Sequence, residues 1–385
     1  MISTLTSRSW IEIDLDALRY NLSKLLTLLH EGTSLMVVVK ADAYGHGLIA
    51  VANYCQKMGI DAYAVATIDE GIRLRKAGID GKILILGYTH PIRAKELNKY
   101  HLIQSIVDYD HALTLSQCGY HLDVHIKIDS GMHRLGFEIN DFEKIIKLYK
   151  YQNLHIKGYF THLCVSDSNK EYDILYTKKQ IKDFYQLINQ IKRKHYKVGK
   201  IHIQSSYGLI NYPEIKCDYV RIGIFMYGVK SNKNDYLKEK LNLKPVLSIR
   251  ARIAMIHDLP KGVNLGYGLT YQAKRDSIIA TIPIGYGDGL PRQLSTNGYV
   301  LVKGVECPIV GRICMDQMLI DVSEVNDLSN NEIVTIIGID GHNEICIEQL
   351  AQVTKTISNE ILCQIGSRLP KVYIGGNWFE EKDAA

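Results

Sequence analysis

Short apolar runs rich in Val, Ile and Tyr alternate with helical patterns through the first 230 residues of this 385-residue chain. Eight such runs occur, and each is long enough for one buried strand. They lie at residues 36–40, 61–67, 82–88, 102–108, 123–129, 155–162, 201–205 and 219–224. Runs that are apolar on both faces are typical of parallel strands covered by helices, and eight β/α units in about 200 to 250 residues match the size of a TIM barrel. A doubly wound sheet is the alternative that this alternation allows.

The pattern changes after about residue 240, where strands separated by Gly, Pro or Asn predominate. Amphipathic helical patterns before this point occupy residues 68–77, 141–150 and 177–194. Beyond it, helical stretches occur at 347–353 and 358–365, before a last strand at 372–374. We predict a (β/α)8 barrel over residues 1–240 and a mainly β domain over residues 241–385, with the polar stretch 232–235 near the junction. The extreme N-terminal strand can pack on the β domain.

The composition indicates a soluble globular protein. Hydrophobic residues make up 46% of the chain, yet no apolar run approaches the roughly 18 residues of a membrane helix. Glu12, Asp14 and Asp16 interrupt the region where a signal peptide is apolar, so we expect a cytoplasmic location. The net charge of +5 is scattered and forms no basic stripe, which argues against a nucleic-acid partner. The eight cysteines form no CxxC pair, so we expect reduced thiols and no metal site.

Reactive residues follow several of the predicted strands, at the barrel end where active sites lie. The loops after the last two strands are the usual phosphate site of such barrels. Here they offer the Ser205 hydroxyl and the peptide N–H groups of Gly223 and Ile224, so the sequence predicts a phosphorylated ligand. The other reactive groups at strand ends are Lys40, Asp129, Arg134, His162 and Arg221.

Lys40 ends an apolar run, and burial lowers the pKa of a lysine from about 10.4 towards the neutral amine that attacks aldehydes. The alternative is a lysine that reaches solvent with only its stem buried. A lysine facing a phosphate site indicates a Schiff-base lysine and the cofactor pyridoxal 5'-phosphate, with Arg221 placed to contact the pyridine nitrogen.

The segments around these residues resemble the alanine racemases, a fold-type III pyridoxal phosphate family, in order and over nearly the whole chain. They are VVVKADAYGHG with Lys40, KIDSGMHRLG with Arg134, FTHL with His162, VRIGIFMYG with Arg221, LGYGLTY with Tyr267, TIPIGYGDG with Tyr286, and GRICMDQ with Met315 and Asp316. The resemblance implies a barrel and a β domain in a homodimer, where the β domain of one subunit completes the site of the other.

The resemblance also implies roles for individual residues. Lys40 would bind the cofactor covalently and act as the base on one face of an amino-acid substrate, and Tyr267 of the partner subunit would act on the other face. Racemisation needs two faces because the proton leaves one side of Cα and returns on the other. The implied cofactor-binding residues are Lys40, Tyr44, His162, Ser205, Arg221, Gly223, Ile224 and Asn359. The implied substrate-binding residues are Arg134, Met315, Tyr286 and Asp316.

Two further expectations come from the resemblance. Lys127 corresponds to a lysine that is carbamylated in some relatives and fixes the arginine at the position of Arg134. Because Arg221 keeps its proton, the pyridine nitrogen opposite it would stay unprotonated, which favours racemisation over transamination. The product D-alanine would supply peptidoglycan, which implies a bacterial source.

The sequence departs from the family pattern at two positions. Gln204 stands where asparagine is common. Asn359 stands where alanine racemases usually have a tyrosine that contacts the cofactor phosphate and crowds the substrate methyl. Asparagine is shorter, and an apolar pocket rejects a small hydroxyl weakly, so the substitution predicts relaxed specificity that includes serine.

Three other readings of the site remain open. A broad-specificity or serine racemase would differ in its turnover of larger substrates. A fold-type III decarboxylase shares the lysine and the barrel but has no need of the opposed Tyr267. A non-catalytic protein that binds pyridoxal phosphate would lack the second base or the β domain.

Overall fold

The computed structural model describes residues 6–295 and 297–376. Its first strands are β1 (Ser9–Asp14), β2 (Ser34–Val38), β3 (Ala62–Val65), β4 (Lys82–Ile85), β5 (Ile103–Ile106), β6 (Leu122–Asp129), β7 (Phe137–Glu138), β8 (Leu154–Phe160), β9 (Lys200–His202) and β10 (Tyr219–Ile222). The helices between them are α1 (Leu15–Leu26), α2 (Lys40–Tyr44, a single turn), α3 (Leu48–Lys57), α4 (Ile68–Lys76), α5 (Ala94–Lys99), α6 (Tyr109–Gln117), α7 (Phe142–Lys147), α8 (Glu171–Arg193) and α9 (Ser206–Asn211).

Eight of these strands form one parallel sheet that curves into a nearly closed barrel. Their order is β10-β2-β3-β4-β5-β6-β8-β9, and the short β7 pairs with β6 beside it. Between β9 and β10 the barrel is bridged by Ser205 and Arg221, and the Arg221 N–H donates to the carbonyl of Gln204 at 3.1 Å. The predicted (β/α)8 barrel is confirmed, and the doubly wound alternative is wrong.

Several barrel strands end before the residues predicted to close them. β2 ends at Val38, so Lys40 lies in the turn after the strand and not on it. The physical reason is the backbone that follows, because residues 41–44 adopt positive φ angles that an extended strand cannot continue. β8 likewise stops two residues before His162, and β9 stops three residues before Ser205.

The rest of the chain is mainly β. Its strands are β11 (Leu247–Arg252), β12 (Met255–Leu259), β13 (Asn264–Leu265), β14 (Tyr271–Gln272), β15 (Ser277–Ile282), β16 (Tyr299–Val302), β17 (Val305–Val310), β18 (Met318–Asp321), β19 (Ile333–Asp340), β20 (Asn343–Ile345) and β21 (Lys371–Ile374). Two helices precede the last strand, α10 (Ile347–Thr354) and α11 (Ser358–Gln364).

The second sheet contains the N-terminal strand. Its order is β12-β15-β18-β17-β16-β19-β11-β1-β21, with β20 beside β19. β1 runs antiparallel to β11 and parallel to β21, so it lies inside this sheet and not in the barrel. The described chain therefore runs from the β region through the barrel and back into the β region.

Polar contacts and a continuous apolar core join the two regions. The Ser358 N–H donates to the Ser231 carbonyl at 2.8 Å, and the Lys230 N–H donates to Glu348 at 2.9 Å. Buried apolar side chains of both regions belong to one cluster, including Tyr227 of the barrel and Leu362 of α11. These contacts place α11 over the carboxyl end of the barrel strands. Within the described residues, none of the helices is both long and apolar enough to cross a bilayer.

Candidate active site

A cavity of about 300 Å³ opens at the carboxyl end of the barrel strands. The structure brings ten of the sequence-predicted site residues together in its lining. They are Lys40, Tyr44, Lys127, Arg134, His162, Ser205, Arg221, Gly223, Ile224 and Asn359. Asn359 reaches the cavity from α11, and the other nine belong to the barrel. Among the described residues, no group of three or more His, Cys, Asp or Glu side chains is placed to hold a metal ion.

Lys40 begins a turn of left-handed helix. Residues 41–44 have φ angles of 52°, 53°, 55° and 52°. For an L-residue this left-handed conformation is less stable than the right-handed one by about 1–2 kcal/mol, which amounts to roughly 4–8 kcal/mol for the turn. Asp42 offsets part of this strain, because its carboxylate accepts the Leu48 N–H at 2.9 Å and pairs with Lys371 at 3.1 Å. Gly45, with φ +79°, ends the turn, and a Cβ there would lie 2.4 Å from the Leu362 carbonyl oxygen.

The environment of Lys40 favours the neutral amine. Burial lowers its pKa from 10.5, and the charge of Arg134 lowers it further. Cys363 and Glu70 act in the opposite direction. A partly buried amine with a lowered pKa has the reactivity expected of a lysine that attacks an aldehyde.

Arg221 is buried beneath the cavity, and its guanidinium binds acceptors from two barrel strand ends. Nη1 donates to the Nδ1 and the carbonyl of His202 at 2.8 and 3.0 Å. Nη2 donates to the Thr161 carbonyl at 2.7 Å and approaches His162 Nδ1 at 3.3 Å. Within the part of the chain described, Nε–H is the donor without a protein partner, and Arg221 lines the cavity. Burial lowers the pKa of Arg221 to about 10, so it stays charged at neutral pH.

Two buried histidines continue this network away from the cavity. Because an arginine can only donate, Nδ1 of His202 accepts, and its proton resides on Nε2. That Nε2 then donates to Nδ1 of His125 at 2.8 Å. Burial, followed by the charge of Arg221, lowers the pKa of His125 to about 3 and that of His202 well below its usual value. Both rings therefore remain neutral and fix the orientation of the guanidinium.

A second part of the cavity lining, which we call the cradle, is suited to a small anion. Ser205 precedes α9, and the neighbouring Ser206 Oγ accepts the Gly223 N–H at 3.2 Å. A Cβ added to Gly223 would lie 2.9 Å from the Tyr44 hydroxyl, so glycine keeps this space open. Burial raises the pKa of Tyr44, which leaves its hydroxyl as a hydrogen-bond donor.

Lys127 lies in the cavity wall at 7% exposure. Its Nζ donates to the Ile128 carbonyl at 3.1 Å and lies 5.1 Å from the centre of the Phe160 ring. Burial lowers its pKa to about 7, with a further contribution from the charge of Arg221. Arg134 is exposed at the mouth of the same cavity.

Asn359 places a polar amide where the cavity meets α11. Its Oδ1 is buried and has no hydrogen-bond partner among the described residues. A buried acceptor without a donor is unfavourable by about 1–3 kcal/mol, so this atom is suited to a donor from a bound molecule.

Four predicted site residues lie outside the cavity of their own chain. Tyr267, Tyr286 and Met315 are 69%, 42% and 53% exposed, and Asp316 is exposed while pairing with Arg368 at 2.7 Å. The turns that carry Tyr286 and Met315 are joined, because the Tyr286 N–H donates to the Cys314 carbonyl at 3.0 Å. All four side chains are exposed on the β region, and together we call them the projecting face.

Comparison with known proteins gives two family matches that together span most of the chain. Residues 13–231 match the family model of the alanine racemase N-terminal domain, and residues 246–373 match that of the alanine racemase C-terminal domain. The chain belongs to the alanine racemase family. An alanine racemase from Clostridium difficile 630 has the same fold, with a TM-score of 0.90, 34% sequence identity and 97% of each chain covered.

Two curated racemases are similar in sequence to this chain but much longer. An amino-acid racemase from Enterococcus faecalis is 43% identical over 94% of this chain and 51% of its own length. A serine/alanine racemase from Enterococcus gallinarum is 40% identical over 95% of this chain and 52% of its own length. The chain thus spans about half the length of these relatives.

Sequence reasoning missed several polar residues that support the site. His125 and His202 fix Arg221, although each occupies a position in an apolar run where an inward-facing polar residue is unusual. The Thr67-x-x-Glu70 pattern is typical of a helix start, so it accounted for Glu70 without indicating its bond to Ala41. Asp288 is buried and pairs with Arg8 at 2.7 Å beneath the projecting face, and its place in GYGDG gave no sign of this partner.

Proposed function

We propose that this protein is a pyridoxal-phosphate-dependent racemase that interconverts L- and D-alanine. The observation that carries the proposal is the cavity, whose lining combines a lysine of lowered pKa, a buried guanidinium, and hydroxyl and peptide groups suited to an anion. The space that Gly223 leaves beside Tyr44 fits a phosphate group, and the Arg221 Nε–H fits the pyridine nitrogen. The cofactor, when bound, supplies the electron-accepting ring that makes the Cα proton of an amino acid removable.

The residues of the cavity then have distinct tasks. Ser205, Tyr44 and the Ile224 amide hold the phosphate, and the Gly223 amide, which donates to Ser206 Oγ, borders the same space. His162 supports the face of the ring beside Arg221, and Arg134 binds the substrate carboxylate. Lys40 carries the cofactor covalently and moves the Cα proton on its own face. Arg221 keeps its proton and leaves the ring nitrogen unprotonated, which favours return of the proton to Cα.

The second face of Cα requires a base that the cavity of one chain lacks. We propose that Tyr267 of the partner subunit supplies it, and that Tyr286, Met315 and Asp316 accompany it into the same site. The large exposure of Tyr267 and Met315 supports a dimer in which the projecting face of one subunit covers the cavity of the other. Each positioned acid or base contributes about 10²- to 10⁴-fold to the rate.

Mixed dimers test this arrangement directly. If Lys40 and Tyr267 of one site come from different subunits, a dimer of Lys40→Ala with Tyr267→Phe contains one site with both changes and one intact site. Equal mixing with free exchange then restores about a quarter of wild-type activity, since half the dimers are mixed. No recovery in dimers verified as mixed would place both bases in one chain and contradict the proposal.

A second candidate substrate is serine. The unpartnered Oδ1 of Asn359 can accept a hydrogen bond from a substrate hydroxyl, which alanine lacks. The serine/alanine racemase from Enterococcus gallinarum has 40% identity to this chain, which supports the same extension. We therefore propose alanine as the main substrate with serine accepted.

Lys127 is proposed to be carbamylated. With its pKa lowered to about 7, a large fraction of its amine is neutral and can add to carbon dioxide with loss of a proton. The product is an anion next to Arg221 and near Arg134, so it replaces one positive charge in a cluster of cations. The carbamate would orient Arg134 towards the substrate carboxylate.

The cellular setting follows from the family and not from the fold. We propose that the barrel domain, which extends to residue 240, and the β domain that follows it, joined by β1, act together in the cytoplasm. There, D-alanine would supply peptidoglycan synthesis.

Chiral chromatography tests the activity. L-alanine and L-serine are each incubated with the cofactor-loaded protein, and Lys40→Ala serves as the control. D-alanine formation that requires Lys40 is the expected result, with slower D-serine formation. Release of carbon dioxide without D-product would support a decarboxylase, and no product at all would support a binding protein.

A further inference from the structure

The carboxylate of Glu70 binds three peptide N–H groups from two separate turns. Oε1 accepts the Ala41 N–H at 2.6 Å. Oε2 accepts the N–H groups of Ala66 and Thr67 at 2.7 and 3.2 Å. A capping box at a helix start requires one of these contacts, the bond to Thr67. The bond to Ala41 is additional and joins α4 to the peptide that follows Lys40.

The Ala41 N–H belongs to the peptide bond between Lys40 and the left-handed turn. Backbone bonds hold the later part of that turn, since the Ala43 N–H donates to the Val39 carbonyl at 2.9 Å and the Gly45 N–H donates to Ala41 at 3.1 Å. The N–H of the peptide between Lys40 and Ala41 is held by the Glu70 side chain. Rotation of this peptide would redirect the Cα–Cβ bond of Lys40 and hence its Nζ.

We propose that Glu70 is a positioning residue for the racemase, whose carboxylate fixes the Lys40–Ala41 peptide and so holds Nζ of Lys40 at one face of the substrate Cα. This inference rests on the proposed function. Glu70 binds the backbone N–H next to Lys40 and can act on the lysine without touching the cofactor or the substrate. It is absent from the cavity lining.

Charge gives Glu70 a second, separable effect on Lys40. The charged groups that shift the pKa of this amine are Arg134 from the loop after β6, Cys363 on α11 and Glu70 on α4. His162 after β8 is also near, but burial lowers its pKa well below the usual value and keeps it neutral. Glu70 raises the pKa of Lys40, while burial and Arg134 lower it. Removal of the carboxylate charge should therefore move the titration of the amine to lower pH.

The variants Glu70→Gln and Thr67→Ala separate positioning from helix capping. Glu70→Gln keeps the size of the side chain but leaves a single oxygen, so it cannot accept from both Ala41 and Ala66. Thr67→Ala removes the other half of the capping box and leaves the bond to Ala41. Both variants should lower the melting temperature through the weaker cap, and only Glu70→Gln should change Lys40.

The first readout is covalent capture of pyridoxal phosphate by the apoprotein. The amine of Lys40 adds to the aldehyde and one water leaves, and the new C=N bond is followed by absorbance, then reduced and mapped to Lys40. At high pH, where the amine is neutral in every variant, Glu70→Gln should react about 10- to 100-fold more slowly than wild type. The pH at which the capture rate of Glu70→Gln is half-maximal should also be lower than in the wild type. Thr67→Ala should retain both wild-type values.

The second readout is the primary deuterium isotope effect with alanine deuterated at Cα. In Glu70→Gln it should rise for the enantiomer whose deuteron Lys40 removes and not for the other, because only one of the two proton transfers is disturbed. If Glu70→Gln folds poorly, Glu70→Asp provides the second variant, since its shorter carboxylate retains the charge but retreats from Ala41.

Three outcomes would overturn the inference. One is a high-pH rate of pyridoxal phosphate capture in Glu70→Gln that equals the wild-type rate, even if the pH midpoint of capture moves. Another is an isotope effect that stays the same or rises equally for both enantiomers. The third is equal loss of rate in Glu70→Gln and Thr67→Ala. If the wild type racemises neither amino acid, the proposed function fails, whereas the capture rates still decide the role of Glu70.

Discussion

Replacing Lys127 by methionine should change how stability depends on pH. Lys127 is 7% exposed, and its pKa falls from 10.5 in the unfolded chain to about 7 in the folded protein. Between these two values the unfolded state binds one proton more than the folded state, so the free energy of unfolding rises with pH. The slope is about 1.4 kcal/mol per pH unit, and between pH 7 and pH 9 this amounts to about 2–3 kcal/mol.

Methionine has a similar length and packs against Phe160 without titrating. The stability of Lys127→Met should therefore lack this rise, and the wild type should gain about 2–3 kcal/mol relative to the variant from pH 7 to pH 9. Urea unfolding of the apoprotein is measured at fixed protein concentration in buffer free of carbon dioxide. Lys157→Met, which removes a half-exposed lysine from the neighbouring strand β8, is the matched control.

Parallel pH profiles for the wild type and Lys127→Met would refute this reasoning, because they would mean that Lys127 titrates alike in the folded and unfolded states. Added bicarbonate provides a further check. It should stabilise the wild type near pH 7 and leave Lys127→Met unchanged at this position, since methionine has no amine that can form a carbamate.

Three further changes test other parts of the site. Asn359→Tyr should reduce D-serine formation relative to D-alanine by about 10-fold or more, measured by chiral chromatography, and an unchanged ratio would show that Asn359 does not admit serine. Gly223→Ala should weaken retention of pyridoxal phosphate on dialysis while the melting temperature changes little, because the new Cβ would lie 2.9 Å from the Tyr44 hydroxyl; full retention would remove Gly223 from the cradle. Asp288→Asn should destabilise the protein by about 1–3 kcal/mol in urea unfolding, because it removes the carboxylate that pairs with Arg8 and Arg368; wild-type stability would show that these pairs contribute nothing.

The barrel strands were predictable because their signal is local. A strand such as β3, buried along its whole length, reads as a continuous apolar run between polar helices. The positions of Ser205, Arg221 and Gly223 then followed from strand order alone, since parallel strands present their carboxyl ends at one edge.

The conformation after Lys40 was not predictable from local sequence. Ala41 and Ala43 are strong helix formers of the right-handed kind, yet both have φ above 50°. The turn exists because distant groups hold it, namely Glu70 on α4 and Lys371 on β21. The pairing of His125 with His202 was hidden for the same reason, because it depends on the register of strands that are 77 residues apart.

The position of β1 has a consequence for synthesis. Its two neighbours, β11 and β21, are translated about 240 and 360 residues later, which corresponds to tens of seconds at about 5–20 residues per second. During that time both edges of β1 lack their native partners, whereas the barrel receives its last strand, β10, before β11 is made and can then close. A fragment intended to contain the barrel alone should therefore begin after Asp14, because residues 9–14 would offer it an unpaired apolar strand prone to intermolecular pairing.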